Sequence, residues 1–341
     1  MEAAPGPAAP DAVCSSESSR NATKTAVWSL ACPAIGQVST ATPRDLRLTD
    51  SDDIGGLSNW GRWGADDELG TLNLITDETR ARAAAQARTG RRVSLARPIE
   101  PASMMGGPIA PPTPPSPPVQ QAMLYTGIPP TGMAEVLVVT PHNPGLTHLD
   151  APVHIPVDGH VYPGRPLTEA VTPTGVRHGS TTAFADGVLT RGVLLDLAPG
   201  DRLPPAHLVT GADLDAGEQR SGVRLEPGDA LVVHGGWTFS RDAANPMPGM
   251  TVDAVAWMLR RDISVYAGDI GDAHPQVDPQ VAMPLHLIGL ARLGMPLIDG
   301  AEVEELAVVC AELGRYTFLL TIPPPRLRGA TGVPVNPQAI F

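Results

Sequence analysis

The residues best suited to chemistry lie between Thr140 and His160, where the chain reads TPHNPGLTHLDAPVHIPVDGH. This run holds four of the nine histidines, His142, His148, His154 and His160, and Asp150 lies among them. Imidazole and carboxylate groups together suit a borderline divalent cation such as zinc or manganese. A histidine that binds no metal is available as a base near neutral pH. The run therefore predicts a metal site with an acid–base group beside it.

A strand followed by a proline-rich loop is expected to position these side chains. Residues 134–139 have the apolar composition of a strand, and Pro141 and Pro144 interrupt the run that follows. Proline dihedrals hold such a loop still. His148 and Asp150 stand two apart, so in an extended backbone they point to the same face. The alternative is a polar loop whose histidines bond only to backbone, but the number of histidines and the proline frame favour the metal site.

The stretch THLDAPVH resembles the second half of the H-x-G-T-H-x-D-x-P-x-H signature of the cyclase family of metal-dependent hydrolases. That family includes bacterial kynurenine formamidase and isatin hydrolase. Landmarks of its longer members resemble the stretches NWGRWGADDELGTLNLIT, GDALVVHGGW, LGMPLID and GVPVNPQAIF. The resemblance therefore extends from Leu57 to Phe341.

The fold class predicted from the irregular alternation of strand-like and helix-like segments is mixed α/β. The resemblance further implies the swivelling β/β/α domain of the family, in which helices surround a barrel-like mixed sheet. It also implies a homodimer or homotetramer.

The resemblance also assigns roles to residues. His148 and Asp150 are the expected ligands of a first divalent ion, and His154 is the expected general base. His286 matches a distal histidine that completes a second metal site. Asp299 matches its acidic partner, one residue later than in the family. The expected cofactor is Mn²⁺ or Zn²⁺, with one or two ions per chain.

One departure from the family pattern concerns the first histidine of the signature. The family places it four residues before the second, and Pro144 occupies that position here. His142 lies six residues before His148. Either the loop is two residues longer and His142 still reaches the metal, or that ligand is missing. We favour the longer loop, because Pro144 and the glycine after it can bulge outward. For the second site, Glu302 is the alternative to Asp299.

Polar residues at other predicted strand ends are further candidates. His234 ends the strand predicted at 230–234, and Asp269 and Asp272 follow the strand predicted at 263–267. Loops at strand ends often carry function in α/β folds. We favour the simpler interpretation of a hydrogen-bonded strand-end histidine and two turn-capping acids.

The overall composition excludes several classes of partner. Lys and Arg number 24 against 36 Asp and Glu, a net charge of −12, whereas nucleic-acid binding needs basic clusters. No apolar run has the length that a membrane span requires. The three cysteines are scattered, which predicts a reduced, cytoplasmic protein without a disulfide framework. A small-molecule substrate is the remaining partner.

The chain is expected to contain one large domain and one extension. Residues 1–45 are rich in Ala, Pro, Ser and Thr, which predicts a disordered or arm-like extension. Residues 46–341 are expected to form a single domain. Within it, the Pro/Met/Gly-rich stretch 98–130 contains PPTPPSPP and is interpreted as an irregular surface excursion over the active-site mouth.

These observations predict a metal-dependent hydrolase that acts on a C–N or C–O acyl bond, opening or cleaving an amide, formamide, lactam or lactone. One alternative is a metal-dependent cyclase or dehydratase that tailors a polyketide-like metabolite without adding water. A second alternative is a non-catalytic metal-binding or scaffold protein, which the proline at the expected ligand position motivates.

Overall fold

The computed structural model describes residues 56–103, 118–239, 244–276 and 281–341. The predicted extension at 1–45 and most of the polyproline run lie outside these residues. The described α-helices are Asp77–Ala84 (α1), Leu167–Ala170 (α2), Gly211–Ser221 (α3), Val252–Arg260 (α4) and Glu304–Leu313 (α5). Gly70–Leu74 and Thr181–Phe184 form 3-10 helices, and Leu285–Leu290 forms a π-helix.

The described β-strands are Arg92–Ser94 (β1), Ala102–Ser103 (β2), Val119–Thr126 (β3), Gly132–Val139 (β4), His148–Asp150 (β5), His160–Val161 (β6), Arg165–Pro166 (β7), Val171–Thr172 (β8), Gly175–Val176 (β9), Val188–Asp196 (β10), Leu208–Val209 (β11), Ala230–His234 (β12), Gly249–Met250 (β13), Val265–Gly268 (β14), Leu297–Asp299 (β15), Thr317–Ile322 (β16), Gly332–Pro334 (β17) and Gln338–Ile340 (β18).

Nine of these strands form a mixed sheet in the order β1-β18-β16-β10-β12-β14-β15-β5-β17, which curls into a half-barrel. The strands β10, β12, β14 and β15 are parallel to their neighbours within this group, and the outer pairings are antiparallel. The predicted mixed α/β class with a barrel-like sheet is therefore confirmed.

The central strands are buried on both faces of this sheet. Leu231 and Val233 of β12 belong to one apolar core, and Ala230 and Val232 belong to the other. The first core also contains side chains of α3, α4 and the π-helix, and the second contains side chains of α5. A parallel strand that is covered on both faces has apolar residues at successive positions, which explains the sequence ALVVH of β12.

Side-chain caps set the ends of several helices. Thr76 accepts a hydrogen bond from Thr79 N in a capping box at the start of α1, and Thr251 accepts one from Ala254 N at the start of α4. Gly314 ends α5 in the left-handed conformation, which glycine adopts without strain. The residue types at these three helix ends are those that local hydrogen bonding and backbone conformation favour there.

The stretch 98–130 is more regular than the sequence suggested. Within its described part, β2 pairs with β3, and β3 pairs with β4 as an antiparallel hairpin along eight residues of each strand. The expectation of an irregular excursion is therefore wrong for residues 119–126. Their glutamines interrupt the apolar alternation that marks a strand, and pairing with β4 supplies the missing stabilisation.

Within the described ranges, no helix has the length and apolar character needed to span a bilayer.

Candidate metal centre

Strand β5 forms the floor of the site. It lies between β15 and β17, and both pairings are antiparallel. His148 stands opposite Asp299 in the pairing with β15, so their side chains project from the same face of the sheet. Asp150 follows two residues later and shares that face. The tertiary structure thus places Asp299, which is distant in sequence, next to the histidine motif.

A turn before β5 returns His142 to the site. Gly145 N donates to Asn143 Oδ1, and Leu146 N donates to Asn143 O, both at 2.9 Å. As a result, His142 Nδ1 lies 2.8 Å from Asp150 Oδ1. The turn therefore brings His142 to the Asp150 carboxylate.

A second turn, after β5, returns His154. His154 N donates to Ala151 O at 2.8 Å, and Pro152 occupies the second position of this turn, where proline is favoured. The His154 ring stacks on the His142 ring with their centroids 3.5 Å apart and an interplanar angle of 1°. The turn therefore places a third imidazole of the motif beside the carboxylate.

Asp150 has no conventional partner for its carboxylate. It is fully buried, and neither oxygen accepts a hydrogen bond. His142 Nδ1 also lacks a hydrogen-bond partner, so its 2.8 Å approach to Asp150 is not aligned as a hydrogen bond. Buried polar groups are almost always hydrogen-bonded or bound to a metal, because desolvation is otherwise unfavourable. The orphaned oxygens therefore fit a cation.

His148 is oriented by the backbone. Its Nδ1 lies 2.8 Å from Leu146 O and donates a hydrogen bond to this carbonyl, because a carbonyl can only accept. The Nε2 atom then carries the free lone pair, and it lies 3.5 Å from Asp150 Oδ1. An imidazole whose other nitrogen is held by a backbone carbonyl is a common arrangement of metal-binding histidines.

His286 reaches the site from the π-helix, a rare helix type that is frequent at functional sites. Its Nδ1 lies 2.6 Å from Asp272 Oδ2. The same carboxylate accepts hydrogen bonds from Leu285 N and His286 N and so caps the helix. His286 Nε2 lies 3.5 Å from Asp150 Oδ2 and 3.4 Å from Asp299 Oδ2. Asp272 therefore orients His286, while Nε2 faces the two other acids.

The side chains form two overlapping groups, each able to surround one ion. The groups are His142, His148 and Asp150, and Asp150, His154 and His286; within each, one ligand atom per residue lies within 4.8 Å of the others. Asp150 belongs to both groups and has two oxygens. The donor set of imidazole nitrogens and a carboxylate suits zinc or manganese.

The protonation states of Asp150 and His154 favour binding of a cation in the cluster. Burial acts to raise the pKa of Asp150, but the neighbouring imidazoles of His142 and His286 outweigh it and hold this pKa well below its ordinary value. Burial lowers the pKa of His154 to about 4, so this ring is neutral near neutral pH. The carboxylate is thus ionised and the His154 lone pair is free.

The charge on His286 is controlled by three acids. Burial acts to lower its pKa, but the carboxylates of Asp299, Asp150 and Asp272 outweigh burial and raise the pKa well above its ordinary value. A concentration of negative charge that attracts a proton also attracts a metal ion, so the two compete for this position.

A family model described as "Putative cyclase" matches residues 93–273, more than half of the 341 residues. The chain belongs to the cyclase family. A crystal structure described as a novel cyclase is 29% identical and covers 86% of this chain and 100% of its own, with a TM-score of 0.72. No curated protein matches the chain.

Two isatin hydrolases share the fold of this cyclase-family chain. Isatin hydrolase A from Labrenzia aggregata, bound to benzyl benzoate, is 18% identical and covers 77% of this chain and 97% of its own, with a TM-score of 0.53. Isatin hydrolase A from Ralstonia solanacearum is 20% identical and covers 76% and 96%, with a TM-score of 0.51.

Three residues of this cyclase-family chain make contacts at the site that the sequence alone does not predict. Thr331 Oγ lies 2.8 Å from His142 Nε2, Gly332 stands opposite Asp150 in the pairing of β17 with β5, and Asp272 orients His286. The sequence places Asp272 only as a turn cap. The GATGVPV stretch resembles the closing loop of the family, whose small residues are expected close to the site, and the pairing of β17 with β5 supplies its contact with His142.

Gly332 leaves room for the His142 ring. A Cβ added at this position would lie 2.5 Å from His142 Cε1 and 3.0 Å from Leu149 O, closer than real contacts allow. We expect Gly332→Ala to displace the imidazole and to weaken metal binding by about 10- to 100-fold, the usual effect of disturbing the support of a ligand. Isothermal titration with Mn²⁺ or Zn²⁺ measures this.

The matched control for that substitution is Gly56→Ala, where a Cβ meets nothing within 4 Å. Equal metal affinities of the two variants would show that Gly332 does not position His142.

The other candidates from the sequence lie apart from the cluster. His160 Nδ1 bonds to Asp158 O, and its ring lies near Trp60. Asp269 accepts three backbone N–H groups, from Gly235, Gly236 and Trp237. The turn-capping interpretation of Asp269 is confirmed.

Asp299, rather than Glu302, is the acid that approaches His286.

His234 is a hydrogen-bonded strand-end histidine, as favoured from the sequence. Its Nδ1 and Nε2 each lie 2.8 Å from a carboxylate, those of Asp196 and Glu304. Burial acts to lower its pKa, but these two acids outweigh it and raise the pKa to about 9. An imidazolium that donates to both acids therefore stabilises the fold.

This arrangement predicts a pH-dependent stability. Because the folded-state pKa of His234 lies above its ordinary value of 6.5, its contribution is complete below about pH 6.5 and is lost as pH rises through about 9. We expect His234→Gln to lower the free energy of unfolding by about 1–3 kcal/mol at pH 6, the lower value reflecting the exposed Glu304. The difference should shrink by pH 9.5. Urea unfolding of both proteins at the two pH values measures it, and a difference that does not change with pH would contradict the assignment.

A cavity of about 440 Å³ opens at the carboxyl ends of β12, β14 and β15. Its lining includes Arg97, Trp237, Asp269, Glu302 and Glu304. None of the residues of the histidine and aspartate cluster lines it. Asp269 accepts backbone N–H groups, and the Glu304 carboxylate lies against His234. We therefore place the chemistry at the cluster rather than in this cavity.

Proposed function

We propose that this cyclase-family chain is a metal-dependent hydrolase that opens or cleaves an amide, formamide, lactam or lactone by attack of water. The single observation that carries the proposal is the buried Asp150 carboxylate, whose two oxygens lack hydrogen-bond partners and lie among four histidines. The resemblance of the motif to the metal-dependent hydrolases supports the same reaction class.

The ligands of the first ion would be His142 Nδ1, His148 Nε2 and Asp150. His142 Nδ1 and His148 Nε2 both face the Asp150 carboxylate. The second nitrogen of each imidazole is hydrogen-bonded, that of His142 to Thr331 Oγ and that of His148 to Leu146 O. A bound divalent cation would polarise the acyl carbonyl and lower the pKa of its water. The protein supplies the orientation, since both imidazoles are fixed before an ion arrives.

His154 would be the general base. Its ring is stacked on His142 and lies 6.1 Å from the His286 ring, so it is held between the two parts of the cluster. It would take the proton from the attacking water and deliver it to the leaving nitrogen or oxygen. His154 would therefore end the reaction in the neutral form in which it began.

His286 and Asp299 would hold a second ion or orient the substrate. Their facing atoms lie 3.4 Å apart, and Asp272 fixes the His286 ring from behind. Either role uses His286 Nε2, because Nδ1 is engaged by Asp272.

The experiment that tests the proposal is elemental analysis of protein purified without chelator. We expect about one or two Mn²⁺ or Zn²⁺ ions per wild-type chain and a loss of metal in His142→Ala and His148→Ala. His160→Ala is the matched control, since His160 belongs to the same histidine-rich stretch, 140–160, but lies outside the cluster. Metal-free wild type, or equal metal in all four proteins, would remove the basis of the proposal.

A screen of formamides, lactams and lactones then identifies the reaction by product mass. Hydrolysis adds one water to the substrate. A product that has lost water would assign the chain to cyclisation with dehydration, and the hydrolase proposal would fail.

A further inference from the structure

The cavity at the carboxyl ends of β12, β14 and β15 is not used by the proposed hydrolysis, because no residue of the histidine and aspartate cluster lines it. Its volume of about 440 Å³ falls within the range of about 300–1,000 Å³ that is typical of small-molecule sites. Pro98, Trp237 and Val303 contribute apolar groups to its lining, and Thr238 contributes a hydroxyl group. The cavity therefore has the size and the mixed lining of a binding site for a small organic molecule.

The turn after β12 forms one side of the cavity, and a buried carboxylate holds this turn. Asp269 accepts hydrogen bonds from the backbone N–H groups of residues 235–237, at 2.7, 2.8 and 3.0 Å. Trp237 Nε1 donates to Leu203 O at 2.9 Å, which fixes the indole ring. This side of the cavity is in place before a ligand arrives, and a preorganised site loses less entropy on binding.

The segments 95–97 and 300–302 form another side of the cavity, and hydrogen bonds join them. Glu302 N donates to Leu95 O at 2.9 Å. The Thr147 hydroxyl donates to Gly300 O at 2.7 Å and accepts a hydrogen bond from Arg97 N at 3.0 Å. These bonds hold the backbones of Arg97 and Glu302 near each other, so their two charged side chains start from fixed positions at the cavity.

Four charged side chains line the cavity, and two of them are already engaged. Asp269 is held by backbone N–H groups, and the Glu304 carboxylate lies 2.8 Å from His234 Nε2. The Arg97 guanidinium and the Glu302 carboxylate form no ion pair or side-chain hydrogen bond with each other or with another residue of the described ranges. One cation and one anion of the lining therefore remain free to bind a ligand.

We propose that this cavity binds a free α-amino acid with an apolar side chain. The guanidinium of Arg97 would bind the carboxylate of the ligand, a pairing that arginine makes with two parallel hydrogen bonds. The Glu302 carboxylate would accept hydrogen bonds from the ligand ammonium group. The apolar side chain of the ligand would lie against Trp237, Pro98 and Val303.

The pair of opposite charges selects against ligands that carry only one sign of charge. A purely anionic ligand would meet the Glu302 carboxylate, and a purely cationic ligand would meet the Arg97 guanidinium. Like charges placed beside each other are unfavourable, so either ligand would bind more weakly than a zwitterion. A neutral ligand would leave both charged side chains without a partner.

The experiment is isothermal titration of the full-length protein with L-leucine, L-methionine and L-phenylalanine. We expect at least one of them to bind with a dissociation constant of about 1 mM or lower. The tightest-binding amino acid is then compared with its amide, which lacks the carboxylate, and with the corresponding acid that lacks the amine. Each of these compounds should bind about 10- to 100-fold more weakly, which is the usual effect of losing one hydrogen bond to a charged group.

Two variants assign each charge of the ligand to its partner. Arg97→Gln should weaken binding of the amino acid by about 10- to 100-fold without weakening binding of the amide. Glu302→Gln should have the same effect on the amino acid without weakening binding of the amine-free acid. Arg92→Gln and Glu305→Gln are the matched controls, because both residues are exposed and neither lines the cavity. Both controls should keep the wild-type affinity.

Three results would overturn the proposal. The first is that none of the three amino acids binds wild type at concentrations up to about 10 mM. The second is that the amide or the amine-free acid binds wild type as tightly as the amino acid. The third is binding that survives in Arg97→Gln or Glu302→Gln, since the ligand then lies elsewhere, the metal cluster included. The titrations with wild type depend on no variant, and none requires turnover, so failure here is separate from failure of the proposed hydrolase.

Discussion

Replacing Asp150 by Asn should abolish the stabilisation of the protein by divalent metal. Asn keeps the size and one oxygen of the side chain but removes the charge that two candidate ligand groups share. Disturbing a residue that merely supports a ligand lowers metal affinity by about 10- to 100-fold, so losing the shared ligand should exceed about 100-fold. At a metal concentration 100 times the wild-type dissociation constant, wild type gains about 2.7 kcal/mol and the variant should gain almost nothing.

Thermal or urea unfolding with and without Mn²⁺ or Zn²⁺ measures this difference. Asp158→Asn is the matched control: Asp158 lies on the same loop, it is exposed, and its left-handed backbone suits Asn as well as Asp. The control should gain the full metal-dependent stability. If Asp150→Asn is stabilised by metal as strongly as wild type, the ion does not bind at this carboxylate.

The second large effect is expected for His154→Ala. If His154 is the general base, removing it should lower kcat by about 10²- to 10⁴-fold, the usual contribution of a positioned acid–base group. The metal content should stay at the wild-type value, because His142, His148 and Asp150 form a complete ligand group without it. Turnover of a substrate found by the screen, together with elemental analysis of the same sample, measures both quantities.

The combination of the two readouts separates the possible roles of His154. Lost activity with retained metal supports the general base. Lost metal assigns His154 to the second ligand group, with Asp150 and His286, and rules out its role as a free base. His160→Ala, in the same stretch 140–160 but outside the cluster, should change neither quantity. Full activity of His154→Ala would exclude any role in the reaction.

Much of the local structure follows from short stretches of sequence. The apolar strand at 230–234 appears where the sequence places it, and Thr76, Thr251 and Gly314 occupy helix ends at which their residue types are favoured. These features depend on hydrogen bonds and burial within a few residues of chain, so neighbouring residue types are sufficient to predict them.

Two elements depend on interactions that no short stretch contains. The apolar segment around His286 forms a π-helix, and Asp272 caps it from a separate loop. Residues 119–126 pair with β4 although their own sequence is a weak strand. In both cases the stabilising partner lies outside the segment itself, which is why local patterns do not predict the outcome.

The sequence by itself determined the histidine and aspartate motif, its resemblance to the cyclase family and the turns that Pro144 and Pro152 introduce. Residue types at short spacing were sufficient for that. Only the tertiary structure decided that His142 reaches Asp150, that Asp299 faces His286, and that Gly332 leaves space for the His142 ring. The first contact depends on the turn before β5. The other two join residues that are distant in sequence, and they are created by the antiparallel pairing of β5 with β15 and β17. Strand pairing of this kind depends on how the whole sheet buries its apolar faces, which is a property of the folded chain rather than of any one segment.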